Sequence, residues 1–421
     1  DKFNCPCGYM QTDPSKKTVL GECEGLFKKH IDPVLNNIAK VGDTGGNIFG
    51  ITFAASINNE ECTYSKGVSI KDKTVDENTK SRMASTSKML TGMAIALLIQ
   101  EGKLSGGDRL VDVLKTYYNN ASIADQKYAQ ITVLELVYHL RGFRAPVTNS
   151  IYLLPYDRLM GSMIAAFEGG PVSLPVTNQQ FINFTSAGTV VGPEYSNYGY
   201  WLLSLIVEEV SGTTFENFVQ DEILKPHDIK LEAAKDGALL SDEWTYVNYG
   251  DAISQQVSGT CMSGGCNGTA KPSYFSWFRM WMGASGWVSK PSEQVKVLDI
   301  YNGKGSVFSS QTIATMTDGS NGYNGAYGFG IENTGWGLGH QGGDEGDGKR
   351  TFAYNTLSNG VKVSWVVHVN GIAAIDSAGM DIPTLISGAI DDLTNEGYFN
   401  GTLMWSKEDC DDPEDSCSDC M

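Results

Sequence analysis

In the segment Ser85-Thr86-Ser87-Lys88 a hydroxyl and an amine stand three positions apart. The apolar residues that follow, Met89, Leu90, Met93, Ile95, Ala96 and Leu97, predict a buried helix. Positions i and i+3 share a helix face, so the amine can reach the hydroxyl. A serine hydroxyl is a poor nucleophile until a neighbour takes its proton, and a buried lysine whose charged form is disfavoured by desolvation can serve as that neighbour. Two further clusters supply polar groups. Tyr195-Ser196-Asn197 precedes a second apolar helix (Tyr200, Leu202, Leu203, Ile206, Val207, Val210), and His340-Gln341-Gly342-Gly343 lies in a glycine-rich approach to a strand.

Taken singly, each cluster has an ordinary structural use. Ser85 can be an N-cap and Lys88 a solvated side chain; Tyr195 can pack and Asn197 can cap the helix after it; His340 can sit in a turn. Their ordered company favours chemistry. Other hydrolytic arrangements find no support, because no Gly-x-Ser-x-Gly elbow occurs and the five histidines form no zinc cluster.

These boxes resemble the serine β-lactamase and penicillin-binding-protein superfamily, in particular its class C branch of β-lactamase-related esterases and D-aminopeptidases: Ser-x-x-Lys at 85 to 88, Tyr-x-Asn at 195 to 197, and His-x-Gly at 340 to 342 in place of Lys-Thr-Gly. Flanking stretches such as YSNYGYWLLSLIVEEVSGTTFENFVQDEILKP and GASGWVSKPSEQVKVL agree in order and spacing, so that the resemblance runs from about Phe49 to about Ser387. It implies an acyl-enzyme on Ser85, with Lys88 and Tyr195 sharing proton transfer and no cofactor. Asn197, His340, Gly342 and Gly343 are implied on the substrate side, and the oxyanion hole would be the N–H groups of Ser85 and Gly343. His139, in Tyr138-His139-Leu140-Arg141-Gly142, matches a family histidine expected to tie a buried loop. Where relatives carry a lysine anchor, His340 is mostly uncharged at neutral pH, and Asp344, Glu345 and Asp347 follow it, which disfavours carboxylate-bearing substrates.

The elements that must position these groups are legible in outline. Helical spacing runs through Leu26, Phe27, Ile31, Val34, Leu35 and Ile38; Ile48 to Ser56 and Cys62 to Ser69 read as strands joined by a polar turn. Ala326 to Glu332, Thr351 to Thr356 and Val361 to Asn370 read as further strands, and Asp381 to Leu393 as a closing helix. The expected fold is α/β (α+β) of the β-lactamase/transpeptidase-like type: an antiparallel sheet flanked by N- and C-terminal helices, with an inserted all-helical lobe. The corresponding segments are a cysteine-containing 1–22, a discontinuous sheet domain of 23–84 and 271–400, a helical lobe of 85–270 and an acidic, cysteine-rich tail of 401–421.

The 421 residues carry 31 basic against 49 acidic side chains, a formal charge of −18, which argues against nucleic acid as a partner. Apolar runs are too short for membrane insertion. Nine cysteines (Cys5, Cys7, Cys23, Cys62, Cys261, Cys266, Cys410, Cys417, Cys420) and four sequons (Asn120, Asn183, Asn267, Asn400) point to disulfides, glycosylation and an extracellular, secreted protein. A start at Asp1 without Met fits a mature form. Family topology places the first and last helices side by side, which implies bridges between the end clusters; Cys261 and Cys266 are expected to pair with each other. The functional reading is a secreted serine hydrolase acting on a small-molecule ester or amide. The competing reading is a secreted structural or binding protein on the same fold, weak in activity and assembling into a homo-oligomer or polymer.

Overall fold

The structure is a computed structural model that describes residues 27–43, 48–57, 60–69, 73–118, 127–145, 154–155, 178–179, 182, 189–234, 240–244, 282–305, 307–343, 349–371 and 381–395. A helix α1 (Asp32–Asp43) precedes strands β1 (Ile48–Ile57), β2 (Glu60–Ser69) and β3 (Lys73–Thr74). After β4 (Ser81–Arg82) the chain passes through a tight turn, Ala84–Ser87, into α2 (Lys88–Gln100). The middle of the chain contributes β5 (Gly142–Ala145), β6 (Leu154–Pro155), β7 (Thr189–Val191), α3 (Asn197–Ser211) and β8 (Glu232–Ala233). Then come β9 (Trp287–Ser289), α4 (Pro291–Tyr301), α5 (Ser310–Thr317), β10 (Glu332–Thr334), β11 (Gly337–Gly343), β12 (Lys349–Ser358), β13 (Val361–Gly371) and α6 (Ile382–Asn395).

Apolar residues at every second position divide the main sheet into two faces. Its order is β10-β11-β12-β13-β1-β2-β3, and the paired neighbours run antiparallel, with Phe53 opposite both Val367 and Tyr64. Ile51, Phe53, Ala55, Tyr354, Trp365 and Val367 point to the side covered by α1 and α6, where Leu35, Ile382 and Ile386 meet them. Ala54, Ala353 and Val366 point the other way, into the core built on α2 and α3. Helix α2 is apolar almost all round and is buried from Lys88 to Leu98, as a central helix must be. Ser56 and Ser364 both donate to Asp299 of α4, fixing that helix on the sheet.

Two expectations change. Ala326 to Glu332 is not a strand: the strand begins only at Glu332, and the segment before it is a loop pressed against α2. Glycine decides this. Gly330 has φ +72°, and a Cβ there would lie 2.0 Å from the Lys88 carbonyl; one on Gly92 would lie 2.0 Å from the Phe329 carbonyl. The inserted lobe is also not all-helical, since β5 pairs with β6 and β7 in a small sheet. Those strands are two to four residues long, too short to print an alternation in the sequence. Cys62 on β2, the one cysteine among the described residues, is disulfide-bonded. The remaining cysteines and the four sequons lie outside the described residues, as do Asp344, Glu345 and Asp347.

Just ahead of the nucleophile turn, Arg82 and Glu243 form an ion pair at 2.8 Å, with side-chain exposures of 1% and 0%. Removing one partner leaves the other charge buried, so Glu243→Ala should lower stability by about 3–5 kcal/mol. Gly92→Ala, which drives a methyl into backbone, should cost at least about 1–3 kcal/mol. Urea unfolding checks both: the midpoints should fall while the slopes stay at the wild-type value.

Candidate active site

Ser85 sits on the turn that opens α2, and the residue before it is strained: Ala84, not a glycine, holds φ +48°. Three residues on, Lys88 is fully buried and its amine turns back towards the serine, with Nζ 3.1 Å from Ser85 Oγ. Nζ also donates to Asn197 Oδ1 and, at 3.0 Å, to the Ala284 carbonyl. Ser196, not Asn197, caps α3 by accepting from the Gly199 N–H at 3.1 Å, which leaves the Asn197 amide to the lysine. The Tyr195 ring lies over the amine, 4.9 Å from Nζ to its centroid.

The segment carrying Tyr195 is held from behind by His139. This residue ends the short helix Val133–Val137 in the left-handed region, φ +53°, and is completely buried. Its carbonyl accepts from Glu194 N–H at 3.0 Å and its Nδ1 accepts from Ser196 N–H at 3.1 Å. Both neighbours of Tyr195 are therefore anchored to one histidine, as the structural reading of His139 expects. Its ring also packs 4.4 Å from that of Tyr195. Arg144 of β5 grips the Glu194 carboxylate with two nitrogens, at 3.0 and 2.7 Å.

The last wall is β11. A Cβ on Gly342 would lie 2.9 Å from Ser85 N and 2.6 Å from the Met83 carbonyl, so only a glycine lets this strand run against the nucleophile turn. Gly343 follows at the strand end. His340, implied on the substrate side by the resemblance, is held inside the protein. It is 3% exposed, its Nε2 meets the Tyr327 hydroxyl at 2.9 Å and its Nδ1 meets the Gln341 carbonyl at 2.6 Å. A carbonyl only accepts, so Nδ1 carries the hydrogen and Nε2 accepts from Tyr327. Burial pushes the Tyr327 phenol well above its ordinary range and keeps that hydrogen in place. Burial first, and the Lys88 charge second, push His340 down to about 3. The ring positions its neighbours and presents no cation.

Several of these groups escaped the sequence reading. Tyr327 lies in the stretch read as a strand, and the Ala284 contribution is a carbonyl that no side chain advertises. Gln294 of α4 binds Thr86 Oγ1 at 2.7 Å and His368 of β13 at 2.9 Å, tying the nucleophile turn to the sheet.

Burial also lowers His368 to about 3 and, with Lys88 and His340 nearby, lowers His139 well below 6.5. Between these values and 6.5 the unfolded chain binds protons that the folded chain refuses, so stability is complete above about pH 6.5 and is lost as pH falls. Each histidine should contribute a slope of about 1.4 kcal/mol per pH unit in that window. Urea unfolding from pH 7.5 to 5 should show the decline, and His368→Gln should reduce its slope by about one third.

A family profile for Beta-lactamase matches residues 35–383. Protein flp of Staphylococcus aureus (strain MW2) is 26% identical over 185 residues, which are 43% of this chain and 32% of that protein. The chain thus spans about a third of the length of the curated relatives it matches. Among solved structures, the D-amino acid amidase from Ochrobactrum anthropi SV3 complexed with L-phenylalanine superposes with a TM-score of 0.64 at 17% identity, covering 88% of this chain and 99% of that one. FmtA from Staphylococcus aureus superposes with a TM-score of 0.56 at 16% identity, covering 89% and 95%. Likeness at these identities speaks to fold alone. The profile, which runs over most of the chain and takes in all three boxes, carries the assignment: this protein belongs to the Beta-lactamase family of serine hydrolases.

Proposed function

We propose that the protein is a secreted serine hydrolase that acylates Ser85 with a small neutral ester or amide. The observation that carries this reading is the meeting of the buried Lys88 Nζ with the partly exposed Ser85 Oγ at 3.1 Å. A nucleophile and its proton acceptor must be within this reach for chemistry to start. Secretion rests on the clustered cysteines and sequons of the sequence.

The reaction uses Lys88 in its neutral amine form. The Ser85 hydroxyl gives its proton to Nζ as Oγ bonds to the acyl carbon, and the carbonyl π pair moves onto oxygen. That oxyanion is received by the N–H groups of Ser85 and Gly343, each worth about 3 kcal/mol of barrier. Collapse of the intermediate breaks the bond to the leaving group, to which Tyr195 passes a proton drawn from the Lys88 ammonium. Water then adds to the acyl-enzyme, giving a proton to the same pair of residues, and Ser85 leaves with its hydroxyl restored. Asn197 keeps the amine aimed throughout.

A neutral His340 offers no cation to a substrate carboxylate, so neutral substrates are favoured. Likeness in fold to a D-amino acid amidase makes D-phenylalanine amide a reasonable amide probe. Ser85→Ala, Lys88→Ala and the double variant should lose similar activity toward p-nitrophenyl acetate, because the two side chains act in one step. Wild-type kcat/KM should be higher for the neutral ester and for D-phenylalanine amide than for nitrocefin. Full turnover by Ser85→Ala would remove the mechanism, and a preference for nitrocefin would remove the substrate class.

A further inference from the structure

Between the sheet and the nucleophile turn runs a chain of hydrogen bonds that the proton transfers do not use. His368 Nε2 on β13 meets Gln294 Oε1 at 2.9 Å, Gln294 Nε2 donates to Thr86 Oγ1 at 2.7 Å, and Thr86 Oγ1 donates to the Met83 carbonyl at 2.7 Å. All three side chains are completely buried. The Met83 carbonyl only accepts, so it takes the one hydroxyl hydrogen of Thr86, and Thr86 must accept from Gln294. That turns the Gln294 amide oxygen toward β13, and His368 then carries its hydrogen on Nε2. The nitrogen left bare, Nδ1, is buried and has no hydrogen-bond partner. Each link therefore has one direction, from β13 through α4 to the turn.

The chain starts and ends where the nucleophile needs support. His368 pairs with Thr351 of β12, and Thr351 pairs with Gly342 of β11, so the three residues form one row across the sheet. Every member of that row meets the turn or the strand leading into it. Gly342 lies against the Ser85 N–H, Thr351 Oγ1 donates to the Arg82 carbonyl at 3.3 Å, and His368 reaches Thr86 through Gln294. At the other end, the Thr86 hydroxyl and the Met83 carbonyl close a ring of backbone around Ala84 and Ser85, beside the Thr86 N–H bond to the same carbonyl at 3.2 Å. Ala84 holds φ +48°, and such a conformation persists only where its surroundings over-determine it. The ties from β9, Trp287 carbonyl to Met83 N–H and Trp287 N–H to Ser87 Oγ, hold the two ends of the turn and do not span the strained residue directly.

We propose that Gln294 is a positioning residue for Ser85: acting through Thr86, its amide sets the nucleophile turn against the strand row that ends at Gly342. The proposal rests on acylation at Ser85. Gln294 is completely buried behind the turn, so it acts on the position of Oγ relative to Lys88 and β11 and not on substrate. Aligned donors in a dry interior reinforce one another, which makes the chain stiff.

The rate at which a fluorophosphonate labels Ser85 in the full chain tests this, with urea unfolding on the same samples to fix the folded fraction. Gln294→Met keeps the length of the side chain and removes its amide; Thr86→Val keeps the branched shape and removes the hydroxyl. Each folded variant should label about tenfold or more slowly than wild type, the scale of loss when a reacting atom is misplaced. The double variant should be no slower than the slower single one, because both changes break the same chain. Thr86→Ser, which keeps the hydroxyl, should label at close to the wild-type rate. A merely structural role would lower the urea midpoint and leave the labelling rate of folded protein unchanged. Wild-type labelling by either folded Gln294→Met or Thr86→Val therefore overturns the proposal, as do losses that multiply in the double variant. Failure of folded wild-type protein to take the label overturns the proposed hydrolase itself, an outcome distinct from equal labelling of wild type and variants.

Discussion

Everything in this protein's site is organised around one amine taken out of water. Lys88 is buried to 0% exposure, and its amine meets Ser85 Oγ, Asn197 Oδ1 and the Ala284 carbonyl. The three partners come from three parts of the chain: the turn before α2, the start of α3, and the segment leading to β9. A buried charge is tolerated only where its hydrogen bonds are complete, so the need to satisfy this amine fixes the relative placement of those parts. The same packing that makes the lysine expensive to bury suits it to the role of base proposed for it.

Among the described residues, the groups around the amine are largely neutral. Its described hydrogen-bond partners are neutral, the rings of Tyr195 and Tyr200 lie 4.9 and 5.7 Å away, and His139 and His340 are held unprotonated by burial and by Lys88 itself. Tyr327 joins the two histidines, with its ring 4.4 Å from His139 and its hydroxyl on His340 Nε2. Neutrality of the imidazoles is therefore a packing property, set by residues from β11, from the loop before β10 and from the short helix before β5.

How much of this was legible in the sequence depended on how local each signal was. Ser85 and Lys88 share a helix face and Tyr195 and Asn197 flank a cap, so spacing alone placed them at helix starts, and the boxes tied them together. Long strands such as Ile48–Ile57 and Val361–Gly371 carried enough alternations to be read within about a residue at each end. The strands β5 and β7 did not, because three or four residues hold no period. The stretch 326–332 looked strand-like from its aromatic and apolar content, but Gly328 and Gly330 let it bend onto α2. That bend is what brings Tyr327 to His340, so missing the loop also hid the residue that decides the histidine's state. A backbone carbonyl such as that of Ala284 leaves no mark in composition at all.

The order of the sheet carries a consequence for how the molecule is made. β1 lies in the interior, bonded on one side to β2, its next neighbour in the chain, and on the other to β13, about 300 residues later. During synthesis the nucleophile helix and the lobe that carries Tyr195 emerge while half of β1's hydrogen-bonding edge still has no mate. Closure of so long a loop is a late and slow event, and an open strand edge is meanwhile available to other chains. The short β3 covers only the far side, against β2. A chain of this topology acquires the strand that walls the site, β11, and the missing partner of β1 from the same distant segment, so completion of the site and protection from misassembly come together.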